Sequence, residues 1–274
     1  MTAGLLRAEW IKLRGLRTTW LLPLLPLVLL LAGGIRIVFS VAETSRTYGL
    51  AVDGALLQSF AFPQPLLNGL QFVAVLGTLL VVLFITAIVG NEFGYDTWKT
   101  VLTRRAQRGH FLAVKLGYAL AEITVTLILV PLAFQAALLI TLRLLLNVTP
   151  QADFSIDQWK AVGITFVVVW VRLAIAAVIG LLSAVLTRSS ASGMALALPW
   201  LLGDLLINAL SYDGGMWRDL VPYTFNYNLA AFETYLQGGI GEVSIAHCLI
   251  VLLFYTVGLS LITIVVFRRR DIAG

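Results

Sequence analysis

The sequence is poor in the residues on which soluble enzymes and disulfide-stabilised domains depend. It has one cysteine, which excludes an internal disulfide and a multi-cysteine metal site, and only two histidines. Charged residues make up 12% of the chain, about half their share in soluble globular proteins. The phosphate-binding motif G-x-x-x-x-G-K-S/T, the zinc motif H-E-x-x-H and the hydrolase motif G-x-S-x-G are all missing. We therefore expect no enzyme activity, no metal site and no bound cofactor on this chain.

Hydrophobic residues, in contrast, make up 59% of the chain and are concentrated in six long runs. A helix needs about 20 apolar residues to cross the hydrocarbon core of a bilayer, and each run is of about that length or longer. None shows the alternation of apolar and polar residues that marks a transmembrane β-strand. The runs must therefore form helices, which make all their backbone hydrogen bonds internally within lipid. We predict an all-α, polytopic protein of the cell membrane, forming one transmembrane domain over residues 1–274. The predicted spans are residues 20–42, 66–90, 111–142, 161–187, 192–210 and 244–267.

Basic residues lie mainly on one side of the predicted spans. With both termini in the cytoplasm, 13 lysines and arginines fall in inner segments and 4 in outer segments. This distribution follows the positive-inside rule, so we predict cytoplasmic N- and C-termini. It also accounts for the net charge of +5 without a nucleic-acid partner.

Residues 1–19 precede the first span and are predicted to form a helix in the plane of the inner membrane interface. Leu6, Trp10 and Leu13 are spaced to share one helical face. Lys12 and Arg14 add positive charge near the headgroups, and Trp10 and Arg14 would brace the first span. The alternative is a plain positive-inside anchor, since basic flanks are expected at any cytoplasmic end.

The inner segment between spans two and three, residues 91–110, has the pattern of a short cytoplasmic helix. Asp96 or Thr97 can cap its first turn. Its exposed surface would include three residues at helical spacing: Trp98, Leu102 and Arg105. An aromatic and basic surface of this kind suits docking into a groove of a soluble partner. The alternative is a solvated loop without a docking role.

Charged residues also occur inside the apolar runs, where a charge at the centre of a lipid-facing helix costs about 2.5–3.5 kcal/mol. Arg36 lies close enough to the outer boundary for its side chain to reach the interface. Glu122, Arg172 and Asp204 lie deeper and should face protein or water. We predict an ion pair between Arg172 and Asp204, which would either hold spans four and five together or line a transport path.

The outer segment between spans five and six, residues 211–243, carries seven aromatic residues. Aromatic side chains collect at membrane interfaces, so this segment is predicted to form part of an outer aromatic belt. Residues 226–236 are predicted to form a short amphipathic helix within it.

The inner segment resembles that of the type-2 ABC exporter permeases. Those proteins have an acidic residue after the second span, a Gly-x-x-Thr step, a Leu-Thr-Arg run, and then an Arg and a Lys before the third span. The matching positions here are Glu92, Gly94, Thr97, Leu102-Thr103-Arg104, Arg108 and Lys115. The sequence departs from the family pattern at Asp96 and at Arg105-Ala106, which leaves the start of the coupling helix undefined.

Two further features extend the resemblance to the whole chain. The opening Glu9-Trp10-x-Lys12-Leu13-Arg14 is similar to the N-terminal interfacial helix of that family. Six spans with both ends inside, and a long outer segment before the last span, match its layout.

The resemblance implies a permease subunit that exports a small amphipathic or hydrophobic molecule, such as a drug, antibiotic, peptide or lipid. It implies a separate ATP-binding cassette subunit, which would hold ATP and magnesium, and a second permease copy or a sister permease. ATP-driven closure would reach the spans through the inner segment, and the outer segment would act as an extracellular gate. The implied coupling residues are Glu92, Gly94, Thr97, Trp98, Leu102 and Arg105.

Three other classes of function compete with this interpretation. An ATP-independent channel or proton-coupled carrier would use Glu122, Arg172 and Asp204 as its relay and would need no ATPase. An intramembrane enzyme would need a nucleophile, a base and a metal set that the sequence does not present. A structural membrane anchor would leave the buried charges without a purpose.

Overall fold

A computed structural model describes residue 15 and residues 17–48, 59–94, 108–147, 154–210 and 216–269. Over these ranges every regular element is a helix and no strand is present. The helices are α1 (Arg17–Tyr48), α2 (Gln64–Gly94), α3 (Arg108–Leu146), α4 (Ile156–Thr187), α5 (Ser190–Leu210), α6 (Met216–Leu220), α7 (Phe225–Leu236), α8 (Ile245–Leu253) and α9 (Leu259–Arg269). A short 3-10 turn, Val221–Tyr223, follows α6, and a π-helical turn, Phe254–Gly258, joins α8 to α9.

Six helical segments in these ranges are long and apolar enough to cross a membrane. The prediction of an all-α, six-span, multi-pass membrane protein is therefore confirmed. The candidate spans are Thr19–Ser45, Gln64–Phe93, Phe111–Leu146, Ile156–Thr187, Ser190–Leu210 and Ile245–Arg269. The sixth span thus consists of α8, the π-helical turn and α9.

Several helices run past the ends of the predicted spans: α1 covers Arg17–Tyr48 instead of residues 20–42, and the longest helix described, α3, also extends at both ends. It has 39 residues and ends at Leu146 instead of residue 142. At a rise of 1.5 Å per residue it is about 58 Å long, nearly twice the thickness of the hydrocarbon core. An apolar run reports hydrocarbon depth, so it does not reveal helical turns that continue beyond it.

Spans two and four form the centre of the bundle, and Gly180 explains how closely they approach. A Cβ atom at Gly180 would overlap the side chain of Ile85 on α2. Small buried residues continue this surface of α4 at Ala176 and Ala177. Such residues are typical of membrane helix interfaces, because packing rather than the hydrophobic effect drives helix association in lipid.

Spans one, five and six surround this centre and expose much of their apolar surface. Leu21 and Val28 on α1 and Leu206 on α5 are all exposed. In a membrane these surfaces are solvated by hydrocarbon, so their exposure is compatible with a bundle that lies within lipid.

The alternating helix directions give the bundle two ends. Gly90 near the end of α2 lies against Ser190 at the start of α5, and Gly109 at the start of α3 lies near Arg268 at the end of α9. We call this the Glu92 end, and the sequence predicts that it is cytoplasmic. The opposite end, towards which α6 and α7 lie, is called the α7 end.

Candidate functional site

A buried ion pair joins α2 and α3 at the Glu92 end. Lys115 Nζ donates to Glu92 Oε1 at 2.8 Å, and the two side chains are 0% and 8% exposed. The Lys115 ammonium also lies 5.3 Å from the centroid of the Phe111 ring, within cation–π range. Since a buried charge without a partner is very costly, this pair fixes the two helix ends relative to each other.

The ion pair lies beside the segment that the sequence singles out for coupling. Glu92 is in the last turn of α2 and Gly94 is its final residue, while Lys115 lies two turns into α3. Sequence reasoning named Glu92 as a coupling residue but missed its pairing with Lys115. The available signal was a lysine within an apolar run, opposite an acidic residue on the neighbouring helix end.

The remaining predicted coupling and interfacial residues lie outside the described residues. These are Thr97, Trp98, Leu102, Arg105, Trp10, Lys12 and Arg14. The short coupling helix and the interfacial N-terminal helix therefore stay predictions.

Gly90 brings a third element to the Glu92 end. A Cβ atom there would overlap the backbone of Ser189, in the turn between α4 and α5, and of Ser190, the first residue of α5. Arg188 in this turn has a left-handed φ of 55°, and its N–H donates to the Ala184 carbonyl, which ends α4. The ends of α2, α3, α4 and α5 are consequently packed together next to the Glu92–Lys115 pair.

Arg172 and Asp204 do not form the predicted ion pair. Asp204 is buried, and its Oδ1 accepts from the backbone N–H of Phe225 at 2.8 Å. Its Oδ2 accepts from the backbone N–H of Asn226 at 3.3 Å and from the Asn226 side-chain amide. The carboxylate of α5 therefore caps the first turn of α7.

The physical reason lies in the free donors of a helix start. The first N–H groups of a helix have no partner within it, and they carry a partial positive charge that a carboxylate stabilises. Thr224, directly before α7, makes no side-chain capping bond of its own. Asp204 supplies that cap from another helix.

Arg172 is instead close to two carboxylates without a direct bond to either. Glu233 on α7 and Asp204 both act on its charge. Its Nε atom is buried and has no hydrogen-bond partner among the described residues. Sequence reasoning missed Glu233 because it assigned α7 to an outer segment, where a glutamate needs no partner.

Glu122 does not join this group. It is half-buried on α3, and no charged side chain acts on it in the described part of the chain. The structure therefore brings together Arg172, Asp204 and Glu233, but not the predicted set of Glu122, Arg172 and Asp204.

The segment before α7 is attached to spans five and six through polar contacts. Asn208 on α5 donates to Thr224 Oγ1 at 3.0 Å. On the sixth span, His247 Nε2 lies 2.7 Å from the Pro222 carbonyl oxygen, and the Tyr255 hydroxyl donates to the Tyr223 carbonyl at 3.3 Å.

Helix α7 confirms the predicted helix at residues 226–236 but is more than a surface belt. Phe225, Asn228 and Leu229 are buried against the bundle, while Tyr223 just before the helix is exposed. On its outer side, Tyr227 donates to Glu242 Oε2 at 2.8 Å. Burial and this hydrogen bond raise the pKa of Tyr227 to about 12.

Comparison with known proteins places the sequence in a family without assigning it an activity. No curated protein matches it. Residues 58–273 match the sequence model of DUF2705, which is described as a protein of unknown function. The match covers spans two to six, and with them the Glu92–Lys115 pair, Asp204 and α7. Because it extends over well more than half of the sequence, the chain belongs to the DUF2705 family.

Proposed function

We propose that the chain is the membrane subunit of an ABC exporter. It would move a small amphipathic or hydrophobic molecule across the cell membrane, driven by ATP hydrolysis on a separate subunit. The observation that carries the proposal is the buried Glu92–Lys115 ion pair. This pair holds together the two helix ends from which the inner segment, residues 91–110, emerges.

The pair supports the proposal because a segment that transmits a mechanical change needs firmly held ends. Glu92 and Lys115 belong to the set of positions at which the inner segment resembles that of type-2 ABC exporter permeases. The close contact of Gly90 with Ser189 and Ser190 extends the fixed region to α4 and α5. A displacement of the inner segment would therefore act on four helices at once.

The partners follow from the same resemblance. An ATP-binding cassette subunit, which holds ATP and magnesium, would dock on the inner segment through Thr97, Trp98, Leu102 and Arg105. A second permease copy or a sister permease would complete the membrane part. Both termini would lie in the cytoplasm, α7 would form an extracellular gate, and the chain itself would catalyse no reaction.

The contacts of Asp204 favour this proposal over a proton-coupled carrier. A relay carboxylate must be free to exchange protons, whereas Asp204 accepts hydrogen bonds from three N–H groups. Glu122 lies apart from Arg172 and Asp204, so these three residues do not form a continuous relay.

Co-purification tests the proposal directly. The chain is expressed with the products of its neighbouring genes, purified in mild detergent, and the proteins that accompany it are identified. We expect a stoichiometric soluble ATPase that is lost when Trp98→Ala and Leu102→Ala are combined.

A matched control is available at the other end of the bundle. Trp217 and Leu220 on α6 are both exposed, so the combination of Trp217→Ala and Leu220→Ala should leave the ATPase bound. A chain that purifies alone and moves protons or ions into vesicles without ATP would contradict the proposal and favour the carrier.

A further inference from the structure

An apolar cleft lies between α3, α4 and the sixth span. Its volume is about 250 Å³, smaller than the roughly 300–1,000 Å³ of typical sites for drug-sized ligands. The cleft therefore has room for one narrow part of a ligand but not for an entire drug-sized molecule. Two residues from each of its three walls are Leu116 and Leu120, Trp170 and Val178, and Val257 and Leu261.

The depth of the cleft places it within the hydrocarbon region. Its wall residues lie about 12 to 25 Å from the ends of their helices at the Glu92 end, at 1.5 Å per residue. Val257 and Leu261 are 51% and 57% exposed, so the cleft opens on the outer surface of the bundle. Only molecules dissolved in the membrane have access to an opening at this depth.

Polar atoms in the walls are already bonded within the protein. The hydroxyls of Thr256 and Ser260 donate to the carbonyls of Leu252 and Thr256, respectively. The indole N–H of Trp170 donates to Thr124 Oγ1 at 3.0 Å. A ligand in the cleft consequently finds carbon surfaces and no free donor from these groups, which selects for a hydrocarbon chain over a polar headgroup.

The shape of the cleft depends on an irregularity of the sixth span. Thr256 and Val257 belong to the π-helical turn Phe254–Gly258, which inserts an extra residue into the helical repeat. Turns of this kind are rare in helices and are found frequently at functional sites. Ala174, which is 5% exposed, forms part of the opposite wall with a small side chain and leaves the space open.

We propose that this cleft binds a single hydrocarbon chain of a lipid or lipid-like molecule from within the membrane. The binding rests on the cleft alone and needs neither ATP nor a partner subunit. It therefore goes beyond the proposed exporter function and is tested separately from it. The chain has two sources, a membrane phospholipid or a free single-chain amphiphile, and the experiment separates them.

The test uses photoreactive chains and the purified full-length protein in dioleoylphosphatidylcholine vesicles. One sample contains a fatty acid with a mid-chain diazirine, and the other a phosphatidylcholine with the same group on one acyl chain. After illumination, labelled residues are identified by mass spectrometry. Surrounding lipid labels exposed residues such as Val265, whereas a chain inside the cleft labels Val178, which is only 3% exposed.

We expect Val178 and Ala174 to be labelled, and Val257→Phe to reduce that labelling at least about threefold, because the larger ring would fill part of the cleft and compete with the chain; a threefold loss corresponds to a change of only about 0.7 kcal/mol in binding free energy. Val265→Phe is the matched control, since Val265 is 47% exposed on the same span and does not line the cleft. Labelling by the fatty acid alone identifies a single-chain amphiphile, and labelling by the phosphatidylcholine identifies a membrane lipid.

Two results would overturn the proposal. One is labelling confined to exposed residues with both probes, which would also be the result if a second protein chain covered the cleft. The other is an equal effect of Val257→Phe and Val265→Phe on the labelling of Val178. Neither result bears on whether an ATPase co-purifies with the protein.

Discussion

At the scale of single residues, Glu92 and Lys115 depend on each other. Both side chains are almost completely buried, so removing one charge takes this counter-charge away from the other in a low-dielectric environment. Replacing both by apolar residues of similar size removes that penalty. The two positions therefore tolerate a charged pair or an apolar pair but not a single charge, whereas one partner of a surface salt bridge can be lost at little cost.

We expect Lys115→Met to lower the stability of the folded protein by about 3–5 kcal/mol, the usual cost of breaking a buried pair from one side. The combination of Lys115→Met and Glu92→Leu should recover most of that loss. Thermal denaturation in mild detergent measures both effects. Lys160→Met, at an exposed lysine towards the α7 end, is the control and should change little. Equal losses for the single and double variants would show that the pair is not the cause.

Asp204 differs from the Glu92–Lys115 pair, because it accepts hydrogen bonds from backbone N–H groups of α7 and, among the described residues, is not paired with a basic side chain. A double variant that exchanges the charges, Arg172→Asp with Asp204→Arg, should be no more stable than either single variant. An arginine at position 204 cannot accept hydrogen bonds from the N–H groups of Phe225 and Asn226. We expect Asp204→Ala to cost about 1–3 kcal/mol from the loss of these bonds.

Hydrogen exchange of the Phe225 and Asn226 amides reports this capping role directly. Both amides should exchange faster in Asp204→Ala than in Arg172→Gln, which leaves the cap in place. Recovery of slow exchange in the charge-exchanged double variant would restore the ion-pair hypothesis.

At the scale of helices, two close contacts form at glycines, where the neighbouring element leaves no space for a side chain. Gly90 and Gly180 lie where α2 meets the α4–α5 turn and α4, and a Cβ at either position would overlap its neighbour. Gly163, on the exposed side of α4, has no atom within 4 Å of its Cβ position. A glycine-to-alanine change at this position therefore alters helix propensity without causing a steric overlap.

Gly90→Ala should destabilise the bundle by about 1–3 kcal/mol, because overpacking forces the neighbouring backbone to move. Gly163→Ala should be neutral or stabilising by up to about 1 kcal/mol, since alanine favours a helix more than glycine. Thermal denaturation of the two variants side by side gives the comparison. A stabilising Gly90→Ala would mean that α2 and the α4–α5 turn are not in close contact in solution.

The elements also show which features the sequence could reveal. The existence of six spans follows from composition, because no other structure buries such runs within lipid. The length of α3 and the π-helical turn in the sixth span were not predicted, because neither changes the apolar pattern. Asp204 was correctly placed in a buried position, but its partner was wrong, since nothing in the sequence shows that α7 folds back to reach it.

At the scale of the whole molecule, the two ends of the bundle differ in what holds them together. The Glu92 end has a buried ion pair and close glycine contacts, while the α7 end has hydrogen bonds to helix starts and turns. Which end faces the cytoplasm is predicted from the distribution of basic residues. Cys248, the single cysteine of the chain, is buried, so introduced cysteines can report on orientation.

We expect Gln237→Cys to react with a membrane-impermeant maleimide on intact cells, because this exposed residue follows α7. Arg188→Cys, exposed in the α4–α5 turn at the Glu92 end, should react only after the membrane is permeabilised. Unaltered protein is the control and should not react. The reverse pattern would place the Glu92 end outside the cell and exclude docking of a cytoplasmic ATPase on the inner segment.

The unusual length of α3 has a mechanical consequence. Over a length of about 58 Å a small rotation becomes a large displacement: where α3 tilts as one body, a tilt of about 5° moves one tip by about 5 Å relative to the other. Helix α3 begins at Arg108, within the last three residues of the inner segment, and ends at Leu146 on the far side of the bundle. A displacement of the first turns of α3, which Lys115 holds against α2, would therefore move the Leu146 end of the helix at the opposite face of the membrane.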